Sequence, residues 1–336
     1  IASFPNLTSL DLKGCAALKN VDGLANCTKL TSLDLSDCDS LQNVDGLANL
    51  TKLKYLNLDN CGSLQNVDGL ANCTNITELS LYYCESLQDI DGLANLTKLK
   101  DLNLHYGVSL QDVDVLNNCT KLTSLTMERS DFLFDLSNLS NLSNLTSLRL
   151  SECGIFDNVD GLANLTNLTS LKLNWCDSLQ NVDGLANLTN LTSLDLAYCD
   201  ALEDVDALAN LSELNSLDLS DCHPIVQPKT EVMTTRKDVI EYQDRIRFVM
   251  TLMDGDTNVL SDYKDSTSLD LSGCNLQNVD ALANLTNLTS LSLWNSSSFT
   301  SLPVGLDKLT NLTSLNLSYC SSLQNVDGLA GCTKLA

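Results

Sequence analysis

The sequence predicts an α/β solenoid: a horseshoe with a parallel concave sheet and a convex side of short helical or 3₁₀ segments. Three observations predict it. First, leucine or isoleucine recurs every 23 residues, at 7, 30, 53, 76, 99, 122, 145, 168, 191 and 214. Second, each opens one pattern, as in Leu7-x-x-Leu10-x-Leu12-x-x-Cys15-x-x-Leu18-x-x-Val21-x-x-Leu24-x-x-Cys27. Third, the apolar spacing changes within each unit, from every second residue to every third.

A fixed period in the twenties with this spacing marks a leucine-rich-repeat solenoid. The first half, Leu7-Thr8-Ser9-Leu10-Asp11-Leu12-Lys13, alternates around Leu10 and Leu12, which is a short strand with one buried face. The second half, Val21-Asp22-Gly23-Leu24-Ala25-Asn26-Cys27-Thr28, reads as a short helix or 3₁₀ turn. Asp22 is expected as its N-cap. One unit buries too little to stand alone, so stability must come from stacking thirteen such copies.

The period fails between His223 and Asp265. The expected organisation is repeats 1–10 over residues 1–222, an irregular insertion with one amphipathic helix over 223–265, and further repeats over 266–336. Thr235-Arg236-Lys237-Asp238 is a plausible capping arrangement, and Val239, Tyr242, Ile246, Val249 and Met253 form a stripe at helical spacing. A helix covering the solenoid's flank is the expectation, since a bare apolar stripe is costly. Asp254-Gly255-Asp256-Thr257-Asn258 echoes a calcium loop, but Val259 replaces the obligatory glycine and Asp265 the final Glu. No metal or other cofactor is expected.

With 43 acidic and 19 basic residues the formal charge is −24. Nucleic acid is excluded as a partner, because phosphate binding needs a Lys/Arg footprint. Basic protein partners are favoured. No apolar run is long enough for a membrane span. The chain opens and closes in mid-repeat with no polar cap, which suggests a fragment, or self-association through the ends.

Ten of fourteen cysteines form a ladder (15, 38, 61, 84, 153, 176, 199, 222, 274 and 320), and four more (27, 73, 119, 332) replace a core leucine. Buried reduced thiols are expected, donating weakly to backbone and packing as small hydrophobes. Unpaired thiols lean toward a reducing compartment. The Asn-x-Thr sequons point to a cell-surface or secreted chain only for a eukaryotic source. The column Asp22, Asp45, Asp68, Asp91, Asp114, Asp160, Asp183, Asp206, Asp280 and Asp327 is read as N-caps.

Copy-to-copy variation points to the function. The Val-Asp-Gly-Leu-Ala-Asn side is nearly verbatim, while the outward strand positions vary. At the Gly14 position the central copies carry Tyr83, Tyr106, Arg129, Glu152, Trp175 and Tyr198; one residue earlier they carry Tyr82, His105, Glu128, Ser151, Asn174 and Ala197. Six of eight tyrosines and both tryptophans lie in the strand columns. Tyr, Trp and Arg dominate binding hot spots. The candidate partner-binding residues are Tyr55, Tyr82, Tyr83, His105, Tyr106, Glu128, Arg129, Arg149, Glu152, Trp175 and Tyr198. The sixth copy departs most, with Ser130-Asp131-Phe132-Leu133-Phe134 in place of the ladder Cys and Val-Asp-Gly. Only two histidines exist, His105 and His223, and no nucleophile or phosphate-loop motif appears, so no enzyme is expected.

Ala-Asn-Leu-Thr-Asn-Leu-Thr-Ser-Leu, at 163–171 and 186–194, resembles the repeat of internalin-type bacterial leucine-rich-repeat proteins. The resemblance covers about 1–222 and 266–336. It implies non-enzymatic recognition of a protein partner on the concave face. The chain departs from that family in its 23-residue period against the usual 22, in Cys where the family has mostly Asn, and in lacking the helical N-terminal cap and immunoglobulin-like C-terminal region. Its Cys-x-x-Leu variant also resembles repeats of plant immune receptors. A structural component that stacks end-to-end is the alternative.

Overall fold

The structure is a computed structural model. It describes residues 4–105, 110, 113–129, 136–222, 232–253, 260–272, 280–296, 300–302 and 305–335, with no side-chain description at 252, 253, 261, 262 and 280. Tyr106, Gly107, Ser130–Phe134, His223, Cys274 and the acidic turn 254–259 therefore lie outside the described residues.

Each copy contributes a strand of three residues: β1 (Ser9–Asp11), β2 (Ser32–Asp34), β3 (Tyr55–Asn57), β4 (Glu78–Ser80), β5 (Asp101–Asn103), β6 (Ser124–Thr126), β7 (Ser147–Arg149), β8 (Ser170–Lys172), β9 (Ser193–Asp195) and β10 (Ser216–Asp218). They pair in parallel in chain order, and each central leucine meets its equivalent, Leu10 with Leu33 and Leu33 with Leu56. The apolar columns fill one continuous core, in which Leu33, Leu56, Leu125, Leu148 and Leu171 are fully buried. The period of 23 is what holds this register, because one slipped residue would turn the leucines outward.

The other side of each copy is a 3₁₀ helix, as at Asp45–Leu47 and Asp68–Leu70. Asp22 and its equivalents are not the N-caps expected of them. Val21 and its equivalents hold the cap position, and Asp begins the helix. The capping oxygen comes from two residues earlier: Asp45 N–H donates to Asn43 Oδ1 at 3.3 Å, and Asp160 N–H to Asn158 Oδ1 at 3.0 Å. This is an Asx turn, which side chains of Asn and Asp make with backbone two residues on. The Asp column still lies where helix dipoles favour negative charge. Burial, then Asp204 and Asp183, push the Asp206 carboxyl up to about 6.

Glycine in Val-Asp-Gly is set by stacking. A Cβ at Gly69 would lie 2.1 Å from the Val44 carbonyl oxygen, and one at Gly184 2.2 Å from that of Val159. The copies with Val115, Ala207 and Ala281 in this column form five-residue 3₁₀ helices, Asp114–Asn118, Asp206–Asn210 and Asp280–Asn284.

The thirteen described cysteines are free thiols, and most are buried. From Cys38 on, the described ladder thiols donate to the backbone of the preceding copy, as Cys61 Sγ to Leu35 O at 3.3 Å and Cys176 Sγ to Leu150 O at 3.3 Å. The second column does the same: Cys73 Sγ reaches Leu47 O at 3.3 Å. Burial pushes Cys61 and Cys222 up to about 12 and Cys73 and Cys119 up to about 11. These thiols are therefore protonated donors at neutral pH and poor nucleophiles. Among the described thiols Cys15 alone is exposed. Brief alkylation of native protein is expected to modify Cys15 first and to spare Cys61, Cys84, Cys176 and Cys199, as read by peptide mass spectrometry. Early modification of the ladder would contradict this packing.

After β10 the chain forms β11 (Val232–Met233), α1 (Arg236–Met253) and α2 (Leu260–Tyr263), then resumes with β12 (Ser268–Asp270), β13 (Ser290–Ser292) and β14 (Ser314–Asn316). β11 pairs antiparallel with β10 and ends the first sheet; β12, β13 and β14 form a second, parallel sheet. Thr235 caps α1, accepting from Asp238 N–H at 3.3 Å. Val239, Tyr242 and Ile246 join the first core, and Phe248 and Val249 the second.

Against the expectation of a flank cover, α1 packs on the second half of the ninth copy, where the next 3₁₀ segment would stack. There its side chains replace donors that a further repeat would supply. Within the array, Cys73 donates to Leu47 O, Asn75 Nδ2 to Thr51 O and Asn95 Nδ2 to Ala71 O. At the end of the array the equivalent carbonyls are those of Leu208, Ser212 and Ala209. Gln243 Nε2 donates to Leu208 O at 2.8 Å, Arg236 Nη2 to Ser212 O, and Arg247 Nη2 to Ala209 O at 2.6 Å. Leu208 and Ala209 are buried, their carbonyls must be satisfied, and α1 does so without the repeat geometry.

Candidate protein-binding surface

Sequence reading places the candidate residues on the strands; the structure divides them. Tyr55 and Arg149 lie in β3 and β7. Tyr82, Tyr83, His105, Glu128, Arg129, Glu152, Trp175 and Tyr198 follow their strands, where the chain leaves the sheet. Tyr106 is outside the described residues.

The Gly14 column has left-handed backbone throughout its described length. Gly14 has φ 74°, Tyr83 60°, Arg129 56°, Glu152 58°, Trp175 62° and Tyr198 61°. Asp37, Asn60, Asp221 and Asn295 share it. Stacking fixes the conformation, because the N–H groups of this column, as at Gly14, Asn60 and Glu152, donate to the next copy: Tyr83 to His105 O at 2.9 Å, Trp175 to Ala197 O at 2.9 Å. Asn and Asp tolerate this region, but bulky side chains there are outliers. Each costs roughly 1–2 kcal/mol relative to glycine.

The row divides into three groups. Tyr82 stacks on His105 with ring centroids 5.1 Å apart and planes within 6°, and Tyr83 leans on Tyr82 at 5.5 Å. Next comes a charged network: Glu128 lies 2.8 Å from His105 Nδ1 and 3.4 Å from Arg149 Nε, and Arg129 Nε lies 2.6 Å from Glu152. Burial holds the His105 pKa below its ordinary value against the pull of Glu128 and Glu152; Arg129 and Arg149 lower it further. Trp175 and Tyr198 then stack face to face at 3.9 Å, within 4° of parallel. Tyr55, Tyr83 and Trp175 are among the exposed large hydrophobic residues. A shallow hollow of about 210 Å³ lies on the sheet face between Tyr55, Glu78, Asp101 and Thr126.

Trp294 and Tyr319, edge to face at 5.8 Å, repeat this arrangement on the second sheet, outside the named set. Tyr319 is 74% exposed with φ 62°. Its place in the Gly14 column is the signal that finds it. Among the described residues no three His, Cys, Asp or Glu side chains group as a metal site requires, and no described helix is long and apolar enough to cross a membrane.

The sequence matches the family model for the BspA type leucine-rich repeat region in six copies, over residues 11–133, 109–226 and 269–335. No curated protein matches. Among solved structures, an internalin (inlF) of Listeria monocytogenes is similar with TM-score 0.59 and 25% identity, over 98% of this chain and 86% of that one. An internalin C2 (inlC2) of the same organism is similar with TM-score 0.51 and 29% identity, over 56% of this chain and 80% of that one. The repeat pattern, the parallel ladder and these matches agree, and the chain belongs to the BspA-type leucine-rich-repeat family, with an internalin-like solenoid fold.

Proposed function

We propose that the chain is a non-enzymatic recognition module that binds a protein partner along the concave side of its solenoid, on the row from Tyr82 to Tyr198. The supporting observation is the left-handed column. Glycine, asparagine or aspartate serves the fold there, as at Gly14, Asn60 and Asp221, yet the central copies hold Tyr83, Arg129, Glu152, Trp175 and Tyr198 in the same backbone. Strain retained in one row of a repetitive scaffold points to a use for those side chains. Exposed aromatics beside a charged network supply both apolar area and orientation. The net charge of −24 favours a basic partner.

The test is capture from the native source by the parent protein and by Tyr83→Ala/Trp175→Ala/Tyr198→Ala. The parent is expected to retain a saturable partner that the triple variant binds at least about thirtyfold more weakly. A partner held equally by both would sink this surface. Recovery of the protein itself, insensitive to the substitutions, would favour the structural alternative of end-to-end assembly.

A further inference from the structure

The first position of the repeat strands offers an internal comparison. It is serine in β1, β2, β6 to β10 and β12 to β14. It departs in three consecutive strands: Tyr55 in β3, Glu78 in β4 and Asp101 in β5. The three are in direct register, Tyr55 with Glu78 and Glu78 with Asp101. Their side chains therefore share the outward face of the sheet, on strands about 4.8 Å apart. Tyr55 is 37% exposed, and Glu78 and Asp101 are exposed as well. Together they border the hollow of about 210 Å³, whose other side is Ser80, Asn103 and Thr126. Ser80 Oγ donates to Asp59 Oδ1, and Asn103 Oδ1 accepts from His105 N–H at 3.1 Å, so these two are tied to the turns that follow them. Among the described residues no ion pair or side-chain hydrogen bond engages Glu78 or Asp101. Lys54 and Lys100 precede Tyr55 and Asp101 in the chain and do not line the hollow.

We propose that this hollow receives an arginine side chain of the protein partner, with its guanidinium between the Glu78 and Asp101 carboxylates and against the Tyr55 ring. The site rests on the recognition reading above for the partner that carries the arginine, and it lies outside the row from Tyr82 to Tyr198. The scaffold does not call for these three side chains, since serine serves the same register in every other repeat strand. Like charges side by side on neighbouring strands are destabilising, and the chain already carries a charge of −24. A cation that joins the two carboxylates removes that repulsion. Arginine fits better than lysine, because a guanidinium matches carboxylates with a planar fork of donors and stacks on an aromatic face, whereas an ammonium is a strongly hydrated point charge.

The test uses the full chain, isotope-labelled, and the tripeptide acetyl-Gly-Arg-Gly-amide, read by the shifts of the Tyr55, Glu78 and Asp101 amide resonances. Saturable shifts centred on these three strands are expected. Affinity should fall about threefold or more for the lysine tripeptide, and about tenfold or more for the citrulline tripeptide, which keeps the shape and lacks the charge. Tyr55→Ser/Glu78→Ser/Asp101→Ser should also weaken binding about tenfold or more. It returns the column to the residue of the other copies, so circular dichroism should report unchanged folding. Glu78→Gln/Asp101→Asn, which keeps the size of both side chains, should lose binding to the same extent. Absence of saturable shifts, shifts centred elsewhere, or equal affinity for the lysine or citrulline tripeptide would overturn the proposal. The same shifts produced by calcium chloride alone would make the occupant a metal ion and overturn it too. Failure here is distinct from failure of the row, which partner capture reads. A tripeptide that does not bind, while capture still depends on Tyr83 and Trp175, removes the hollow alone.

Discussion

The Gln243→Glu protein is expected to be about 3–5 kcal/mol less stable than the parent at neutral pH, and to recover as the pH falls. Gln243 is buried on α1, and its Nε2 donates to Leu208 O at 2.8 Å and Leu211 O at 2.9 Å. A carboxylate there would face two carbonyl oxygens without water. Its folded-state pKa would rise above the ordinary value near 4.3. The folded state then binds more protons than the unfolded one between those two values, so stability increases as the pH drops through the raised pKa. Gln243→Leu separates the hydrogen bonds from the charge. Each carbonyl keeps its turn partner, Leu211 N–H on Leu208 O and Leu214 N–H on Leu211 O. The loss should be about 1–3 kcal/mol and independent of pH. Urea unfolding at about pH 5 and pH 8 measures both. A glutamate variant as stable as the parent would mean that α1 does not take the place of a repeat.

Gly69→Ala should cost about 1–3 kcal/mol, while Gly23→Ala should leave stability unchanged or slightly raised. The two glycines occupy equivalent positions in their copies. A Cβ at Gly69 would lie 2.1 Å from Val44 O and 2.5 Å from Val44 C. Those are backbone atoms, so no rotamer change can make room. A Cβ at Gly23 meets nothing within 4 Å, and alanine there restricts the unfolded chain. Equal effects of the two substitutions in urea unfolding would show that close approach of copies is not what selects glycine.

Much of this architecture is legible in the sequence because the unit repeats. The strand around Leu10 and Leu12, its register with Leu33 and Leu35, and the interior place of Cys38 and Cys61 all follow from period and alternation. What escapes such reading depends on backbone conformation or on particular neighbours. Tyr83 and Trp175 read as strand residues because they neighbour the alternating stretch. The accompanying Gly14, Asn60 and Asn295 are the types that occupy left-handed turns, and they carry the missed signal. Asp22 reads as a cap by residue type, although Asn20, two places earlier, supplies the oxygen. The matching of Gln243, Arg236 and Arg247 to carbonyls of the ninth copy becomes visible only when both elements are placed in space.

The most direct test of the recognition row is to replace Tyr83, Arg129 and Trp175 together by glycine, and to measure unfolding free energy and partner capture on the same protein. Relief of left-handed strain offsets the lost ring and charge contacts, so stability should be unchanged or higher while the partner is lost. Lower stability by about 2 kcal/mol or more, the scale of a core truncation, with the partner still bound, would make the row part of the scaffold and contradict the recognition reading.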